Sequence, residues 1–418
     1  MINGVNWHGV WDFQKDAAVR AKILDAHAAV GLTSVRLDFA WGQLEPTKGQ
    51  YTWSTMDTRI NEAYARGMTT LVMLYWPPAW ASSTGASQKA APPKNNAEFG
   101  NILGQIGKRY GNKLAGVEMW NEPDITTFWT GSRGQFFTML AQAYPVAKAL
   151  APNTTFVAGS PTYLGLASNW FRDAYNTTTF KPGQSYDAVA IHPYMSPSDL
   201  PPNAPKSNWS VKGIADLQAL RSSKGDASPL WATEWGWSTH TQPADTANYW
   251  RGVTESQQAA YTVDQIKMMP ALGVTHSYLY TDAEMGQTSP SPGAGVHERF
   301  FGNMRLDLSE KPVMGALKAL LKPTTPTGPT APTGPTAPTG PTAPLPSSDL
   351  EKRVAVLEGK VTELDMWVGA LEQADKDLEA RVVKAEQALV DLSREVFDLQ
   401  ATNVSLAGHL ERASEALL

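Results

Sequence analysis

The 418 residues include no cysteine, which excludes a disulfide framework and any chemistry that runs through a thiolate. No leader is expected either. Met1 passes directly into Ile2-Asn3-Gly4-Val5-Asn6-Trp7, with no basic segment and no apolar run behind it. Synthesis as a soluble cytosolic chain is the expectation, and work outside the producing cell would need another exit route. No apolar run is long enough to span a bilayer, so no membrane insertion is expected. Positive charge is not in excess: the net formal charge is −5, which gives no nucleic-acid footprint. Gly4-Val5-Asn6-Trp7-His8-Gly9 lacks the glycine pattern of a phosphate loop. The seven histidines are scattered, none paired at metal-ligand spacing, so no metal and no cofactor is expected. Asn153-Thr154-Thr155 and Asn208-Trp209-Ser210 match glycosylation acceptors and, without a secretion signal, read as chance.

What is abundant is tryptophan: 15 residues, 14 of them before residue 345. Indoles fill large cores, and they also make flat platforms for the C–H faces of sugar rings. Charge is uneven. Residues 349–418 carry 15 Asp+Glu against 8 Lys+Arg, and the remainder 25 against 27.

Through residue 322 the chain repeats one theme, a short apolar strand followed by a helical stretch. Strands are expected at 2–7, 34–38, 69–75, 115–120, 155–159, 186–192, 230–234 and 274–280. Each is apolar without clean alternation, as in strands covered on both faces. Helical stretches at 16–30, 56–66 and 257–272 each end at a glycine, Gly31, Gly67 and Gly273. Eight such units in ~320 residues predict an α/β fold, a (β/α)8 TIM barrel over 1–322. A doubly wound open sheet is the alternative, and the absent phosphate loop counts against it.

Composition then changes twice. Residues 323–348 repeat Gly328-Pro329-Thr330-Ala331-Pro332-Thr333 almost unchanged. Glycine returns only every sixth residue, with Ala331, Ala337 and Ala343 between, whereas a collagen triple helix needs it at every third. The segment is expected to be a polyproline-type linker, the 24 residues 323–346 of it reaching roughly 75 Å at ~3.1 Å per residue. Over 349–418 the period becomes seven. Val354, Val361, Val368, Asp375, Val382, Leu389, Val396, Asn403, Leu410 and Leu417 fall at a, and Leu350, Leu357, Leu364, Leu371, Leu378, Ala385, Leu392, Leu399, Leu406 and Ala413 at d. Eighteen of these twenty are apolar, which predicts a parallel coiled coil ~105 Å long at ~1.5 Å per residue. Valine at a with leucine at d leans to a dimer, and a trimer tolerates the same pattern.

The chemistry points to two strand ends. Trp120-Asn121-Glu122-Pro123 follows the apolar Leu114-Ala115-Gly116-Val117-Glu118-Met119, and Pro123, which has no N–H, is expected to stop the strand at Glu122. A second strand, Trp231-Ala232-Thr233-Glu234-Trp235-Gly236-Trp237, again presents one carboxylate among indoles. Barrels carry their reactive groups at the C-terminal strand ends. Two carboxylates facing each other across a cleft, held at different proton affinities, are what glycoside hydrolysis requires.

These strands come with Val35-Arg36-Leu37-Asp38-Phe39-Ala40-Trp41, Leu44-Glu45-Pro46, Gly49-Gln50-Tyr51-Thr52-Trp53, Tyr75-Trp76-Pro77-Pro78-Ala79-Trp80, Tyr186-Asp187-Ala188-Val189-Ala190-Ile191-His192-Pro193-Tyr194, Phe301-Gly302 and Lys311-Pro312. In order and spacing, residues 4–318 resemble the clan A glycoside hydrolases, most closely family 39. The resemblance implies Glu122 as acid/base, Glu234 as nucleophile and retention at the anomeric carbon. It further implies Asn121 on the sugar 2-hydroxyl, Arg36 and Tyr194 holding Glu234 ionised, and His192 lining the cleft. Trp76, Trp80 and Trp235 become sugar-stacking candidates. Each has a plainer reading: Arg36 as a core ion pair with Asp38 or Glu118, His192 and Tyr194 as satisfied core polars, Trp80 as packing. One departure stands out. The clan places tryptophan at the end of strand eight, where this chain has Leu279-Tyr280-Thr281-Asp282, so Tyr280 takes that place.

A glycosidase barrel on a stiff spacer and a coil, without a leader, resembles a phage tail protein of the minor-tail or fibre type. That resemblance implies location in the virion, assembly with other tail proteins, homo-oligomerisation through 349–418, and a bacterial envelope polysaccharide as substrate. Two alternatives are a non-catalytic receptor-binding protein that keeps the barrel to grip sugar and a free intracellular glycosidase.

Overall fold

A computed structural model of the protein describes residues 1–10, 14–167, 170–176, 180–196, 198–203, 208–240, 251–285 and 296–322. All lie in the first of two compact units, Met1–Gly328. The expected linker and coiled coil lie outside the described residues.

Eight strands close into a barrel in chain order, every neighbouring pair parallel. They are β1 (Ile2–Asn6), β2 (Ser34–Ala40), β3 (Thr69–Tyr75), β4 (Leu114–Asn121), β5 (Phe156–Ser160), β6 (Ala188–Ile191), β7 (Leu230–Trp235) and β8 (Val274–Leu279). The β1–β8 pairing closes the ring, so the open doubly wound sheet is excluded. Among the described residues ten helices connect or flank these strands: α1 (Ala17–Ala29), α2 (Trp41–Leu44), α3 (Ser54–Tyr64), α4 (Asn96–Tyr110), α5 (Arg133–Leu150), α6 (Tyr163–Ala167), α7 (Trp170–Tyr175), α8 (Asn208–Ser223), α9 (Glu255–Met268) and α10 (Pro312–Leu321). Among the described residues, no helix is long and apolar enough to cross a membrane.

Local chemistry sets the helix limits. Asp16 caps α1 by accepting from the Ala18 N–H. Ser132 and Thr254 open α5 and α9 with capping boxes closed by Gln135 and Gln257. Gly31 and Gly67 follow α1 and α3 with φ of 100° and 74°, a region closed to most side chains. The helical stretch expected over 257–272 is divided: α9 ends at Met268 and a 3-10 turn, Met269–Leu272, completes it, because Pro270 cannot extend the α-helical ladder.

Apolar side chains pack in two places. The larger core lies between barrel and helices, and takes in Val35, Leu37, Ile102, Phe136, Trp120 and Trp235. A smaller one, Leu71, Val157, Ala188, Ala190, Trp231 and Tyr278, fills the barrel interior. Above that plug, towards the C-terminal strand ends, the interior turns polar.

Candidate active site

The polar interior is organised around Arg36 on β2. Its Nε donates to Glu118 Oε2 at 2.5 Å and its Nη2 to Asn121 Oδ1 at 2.8 Å. Its Nη1 donates both to Asn6 Oδ1, at 2.8 Å, and to Glu234 Oε1, at 2.5 Å. One guanidinium thus contacts Glu118, the core partner expected for it, below and Glu234 above. Glu118 is fully buried and also accepts from Ser160 Oγ at 2.9 Å and Thr233 Oγ1 at 2.8 Å. These donors satisfy the oxygens of a side chain that burial cuts off from water.

Two departures from strand alternation turn the carboxylates into this space. On β4, Glu118 faces inward, so strict alternation would send Trp120 inward and Asn121 outward. Instead Trp120 adopts φ 95° and packs outward against Phe99 and Trp129, its Nε1 donating to the Phe128 carbonyl at 2.7 Å. Asn121 thereby turns in to Arg36. The strand ends at Asn121, one residue earlier than Pro123 alone suggested, because Glu122 has left extended geometry with φ 37°. Such conformations cost on the order of 1–3 kcal/mol each and persist where surrounding packing enforces them. On β7, Trp231 and Thr233 face inward, and the register slips between Ala232 and Trp235. An irregularity of this kind re-aims side chains. Glu234 turns to the cleft and Trp235 to the outer core.

One oxygen each of Glu122 and Glu234, together with a His192 ring nitrogen, lie within 4.8 Å of one another. His192 Nδ1 is 2.9 Å from Glu122 Oε1 and 3.6 Å from Glu234 Oε2, and its Nε2 is 2.6 Å from Ser160 Oγ. Tyr194 donates its hydroxyl to Glu234 Oε2 at 3.2 Å. Among the described residues this is the one group of acids and histidines close enough to hold a metal ion. A cation there would meet the Arg36 guanidinium already 2.5 Å from Glu234, so the donor set fits a proton-transfer site better than a metal site.

The two carboxyl groups differ electrostatically. Burial pushes Glu122 up to about 8, and the negative charges of Asp124 and Glu298 add to it. Burial raises Glu234 too, but the guanidinium in contact with it pulls the other way. His192 is held below its ordinary value, first by burial.

The remaining candidates separate. Trp235 is corrected: it is 1% exposed, its Nε1 donates to Ser277 Oγ at 2.8 Å and its ring meets Trp237 edge-on, so no sugar can reach its face. Trp80 is half-buried, bonds the Glu45 carbonyl through Nε1 at 3.0 Å and packs edge-to-face on Trp41. Trp76 keeps partial exposure at the end of β3, with φ 57°. Tyr280 joins the cleft wall, its ring against Tyr194 and Phe301 and its hydroxyl donating to Glu298 at 3.1 Å; the Tyr280–Thr281 peptide is cis.

Sequence reasoning passed over Lys89, Glu298, Asp124, Ser160 and the full role of Glu118. Lys89 comes from the loop after β3, its Nζ 4.0 Å from the Phe128 ring centroid, with its charge felt by both Glu122 and Glu234. Lys89 sits in a loop and Glu298 in the short 3-10 helix Val296–Phe300, neither with a sequence pattern to mark it. Ser160, Asp124 and Glu118 were detectable as polar residues on or beside strand ends of a barrel.

The family model for cellulase, glycosyl hydrolase family 5, matches residues 2–267. Solved structures of similar fold include a family 39 glycoside hydrolase from Bacteroides cellulosilyticus WH2, at 21% identity and TM-score 0.58, covering 77% of this chain and 63% of that one. A monomeric beta-xylosidase from Caulobacter crescentus CB15 aligns at 17% identity and TM-score 0.57, over 77% and 67% of the two chains. The exo-beta-1,4-mannosidase Op5Man5 from an Opitutaceae bacterium aligns at 16% identity and TM-score 0.58, over 77% and 59%. Comparison with curated proteins finds no match. Family 39 thus enters as a likeness of fold, while the sequence itself matches the family 5 model. With its closed barrel and paired carboxylates, the chain belongs to glycosyl hydrolase family 5, in the retaining clan A.

Proposed function

We propose that the barrel cleaves a polysaccharide of a bacterial envelope by retaining double displacement, acting within chains as part of a phage tail. In the first half-reaction Glu234 attacks the anomeric carbon. The glycosidic C–O bond breaks, and Glu122 passes its proton to the departing oxygen. In the second, Glu122, now a carboxylate, takes a proton from water, whose oxygen displaces Glu234 from the sugar. Arg36 holds the Asn121 carbonyl oxygen, which leaves the amide N–H groups to meet the sugar 2-hydroxyl.

The observation that carries this reading is the spacing of unlike carboxyl groups. One oxygen of each lies within 4.8 Å of one oxygen of the other, nearer the roughly 5–5.5 Å carboxyl separation of retaining enzymes than the roughly 6.5–9.5 Å that inverting enzymes leave for water. The tail assignment is supported by sequence alone, the Pro/Thr/Gly/Ala repeat of 323–348 and the heptads of 349–418. Two or three barrels on one coil would gain avidity on a repetitive glycan.

The test is a panel of envelope polysaccharides incubated with the full chain, with reducing ends and product masses followed. Oligosaccharides released by the wild type and not by Glu234→Gln support the reading. Equal binding with no release by either protein assigns the barrel to receptor recognition instead.

A further inference from the structure

We propose that the glycan taken by this cleft is anionic, with a carboxylate or phosphate group seated on Lys89 and Tyr75. The barrel places both residues. Leu71 fills the interior, and every second residue of a strand shares a face, so Tyr75 tops the inner face of β3. Lys89 reaches the same place from the loop between β3 and α4. The next residue, Ala90, fastens that loop to the one after β4. Its carbonyl accepts from the Thr130 N–H at 2.9 Å and from the Thr130 hydroxyl at 3.2 Å. Lys89 Nζ then lies 4.0 Å from the centroid of the Phe128 ring and 5.9 Å from that of Tyr75.

Both residues hold donors that the protein does not use. A ring face attracts an ammonium but accepts no full hydrogen bond from it. Among the described residues Lys89 makes no ion pair and no hydrogen bond, and the Tyr75 hydroxyl makes no hydrogen bond. Tyr75 is 3% exposed, yet its oxygen is not sealed in the core, so the hydroxyl opens on the cleft. The acids whose charge reaches Lys89 are Asp38, Glu122, Glu234 and Glu298, and none comes into ion-pair contact with it. Glu234 is held by Arg36 and Tyr194, and Glu298 accepts from the Tyr280 hydroxyl. A neutral sugar hydroxyl would satisfy one donor and leave the half-buried charge unmatched. A carboxylate or phosphate meets the ammonium and the phenol together. The charge also bears on the acid. An unmatched ammonium favours the ionised form of Glu122, against its need for a proton. An anionic group on Lys89 cancels that pull when substrate is bound.

The inference rests on the reading of the cleft as a glycan site, and its test measures binding apart from turnover. The full chain carrying Glu234→Gln is titrated by calorimetry with matched pairs of envelope polysaccharides. Uronate-bearing ones are set against the same material after carbodiimide–borohydride reduction of the carboxyl groups. Phosphomonoester-bearing ones are set against the same material after phosphatase. At least one acidic member should bind about tenfold or more tightly than its neutral counterpart. Preference confined to one set identifies the group as carboxylate or as phosphate. Added to Glu234→Gln, Lys89→Met should abolish the preference, Lys89→Arg should retain most of it, and Tyr75→Phe should weaken it several-fold. Equal affinity within every pair, or no binding at all, overturns the inference. So does a preference that survives intact in Lys89→Met or in Tyr75→Phe; the second keeps the ring and decides if the first does not fold. The two readings fail separately. Acidic preference without release of reducing ends by the wild type sinks hydrolysis and leaves the subsite. Cleavage without charge preference leaves hydrolysis and sinks the subsite.

Discussion

Arg36 Nη1 and Glu234 Oε1 lie 2.5 Å apart although 198 residues separate them in the chain. The contact crosses the barrel from β2 to β7. It joins a buried ion pair, Arg36–Glu118, to a carboxylate that opens on the cleft, and so couples the stability of the barrel to the charge of Glu234.

That coupling can be separated by Arg36→Lys. A lysine makes one point contact where the guanidinium makes four. The variant should lose about 3 kcal/mol of unfolding free energy, because Glu118 stays buried with its partner impaired. It should also lose activity beyond what stability explains. Denaturant midpoints and kcat/KM, measured on the same preparation well below the midpoint, separate the two effects.

Glu234→Gln should lower kcat by roughly a thousandfold or more, since an amide cannot form the glycosyl ester. Sugar binding should remain within a few-fold. Sedimentation of the variant with insoluble substrate gives the second number, and reducing-end release the first.

The acid carries a pH signature. In the proposed reaction Glu122 must hold its proton to serve the leaving group, and burial pushes its pKa up to about 8. Activity should therefore be retained below that pH and fall above it. Glu122→Ala should flatten this limb. It should also cost about 10²–10⁴-fold on substrates with poor leaving groups, and much less on aryl glycosides that leave without protonation. A limb that persists in Glu122→Ala would assign it to another group.

Trp235 and Trp76 should behave oppositely. Trp235→Ala empties part of the packed layer and should cost about 3–5 kcal/mol of stability. Trp76→Ala, at a partly exposed strand end, should leave stability nearly unchanged and raise KM by roughly fivefold, equivalent to about 1 kcal/mol of ring contact. Thermal melts and Michaelis curves for the pair test both statements.

Residues 349–418 expressed alone should form a parallel helical oligomer. The valine-a, leucine-d pattern favours two strands. Sedimentation equilibrium distinguishes dimer from trimer, and a monomer would remove the stalk from the proposed architecture.

Much of this protein was legible from residue order alone. Apolar runs punctuated by Gly31, Gly67 and Gly273 marked strand–helix units, because the backbone obeys local rules that each segment carries with it. Pro123 fixed Glu122 near a strand end for the same reason, to within one residue. Direction of the side chains was not legible. Strands covered on both faces show no polar–apolar alternation, so nothing in Trp231-Ala232-Thr233-Glu234-Trp235 told which residues face the interior. The register slip on β7 and the left-handed Trp120 on β4 settled that, and both depend on neighbouring strands and helices. Trp235 was misjudged on that account. The meeting of Arg36, Glu118, Asn121, Ser160, His192 and Glu234 belongs to the closed ring, since only closure brings five strands' ends around one guanidinium and one imidazole.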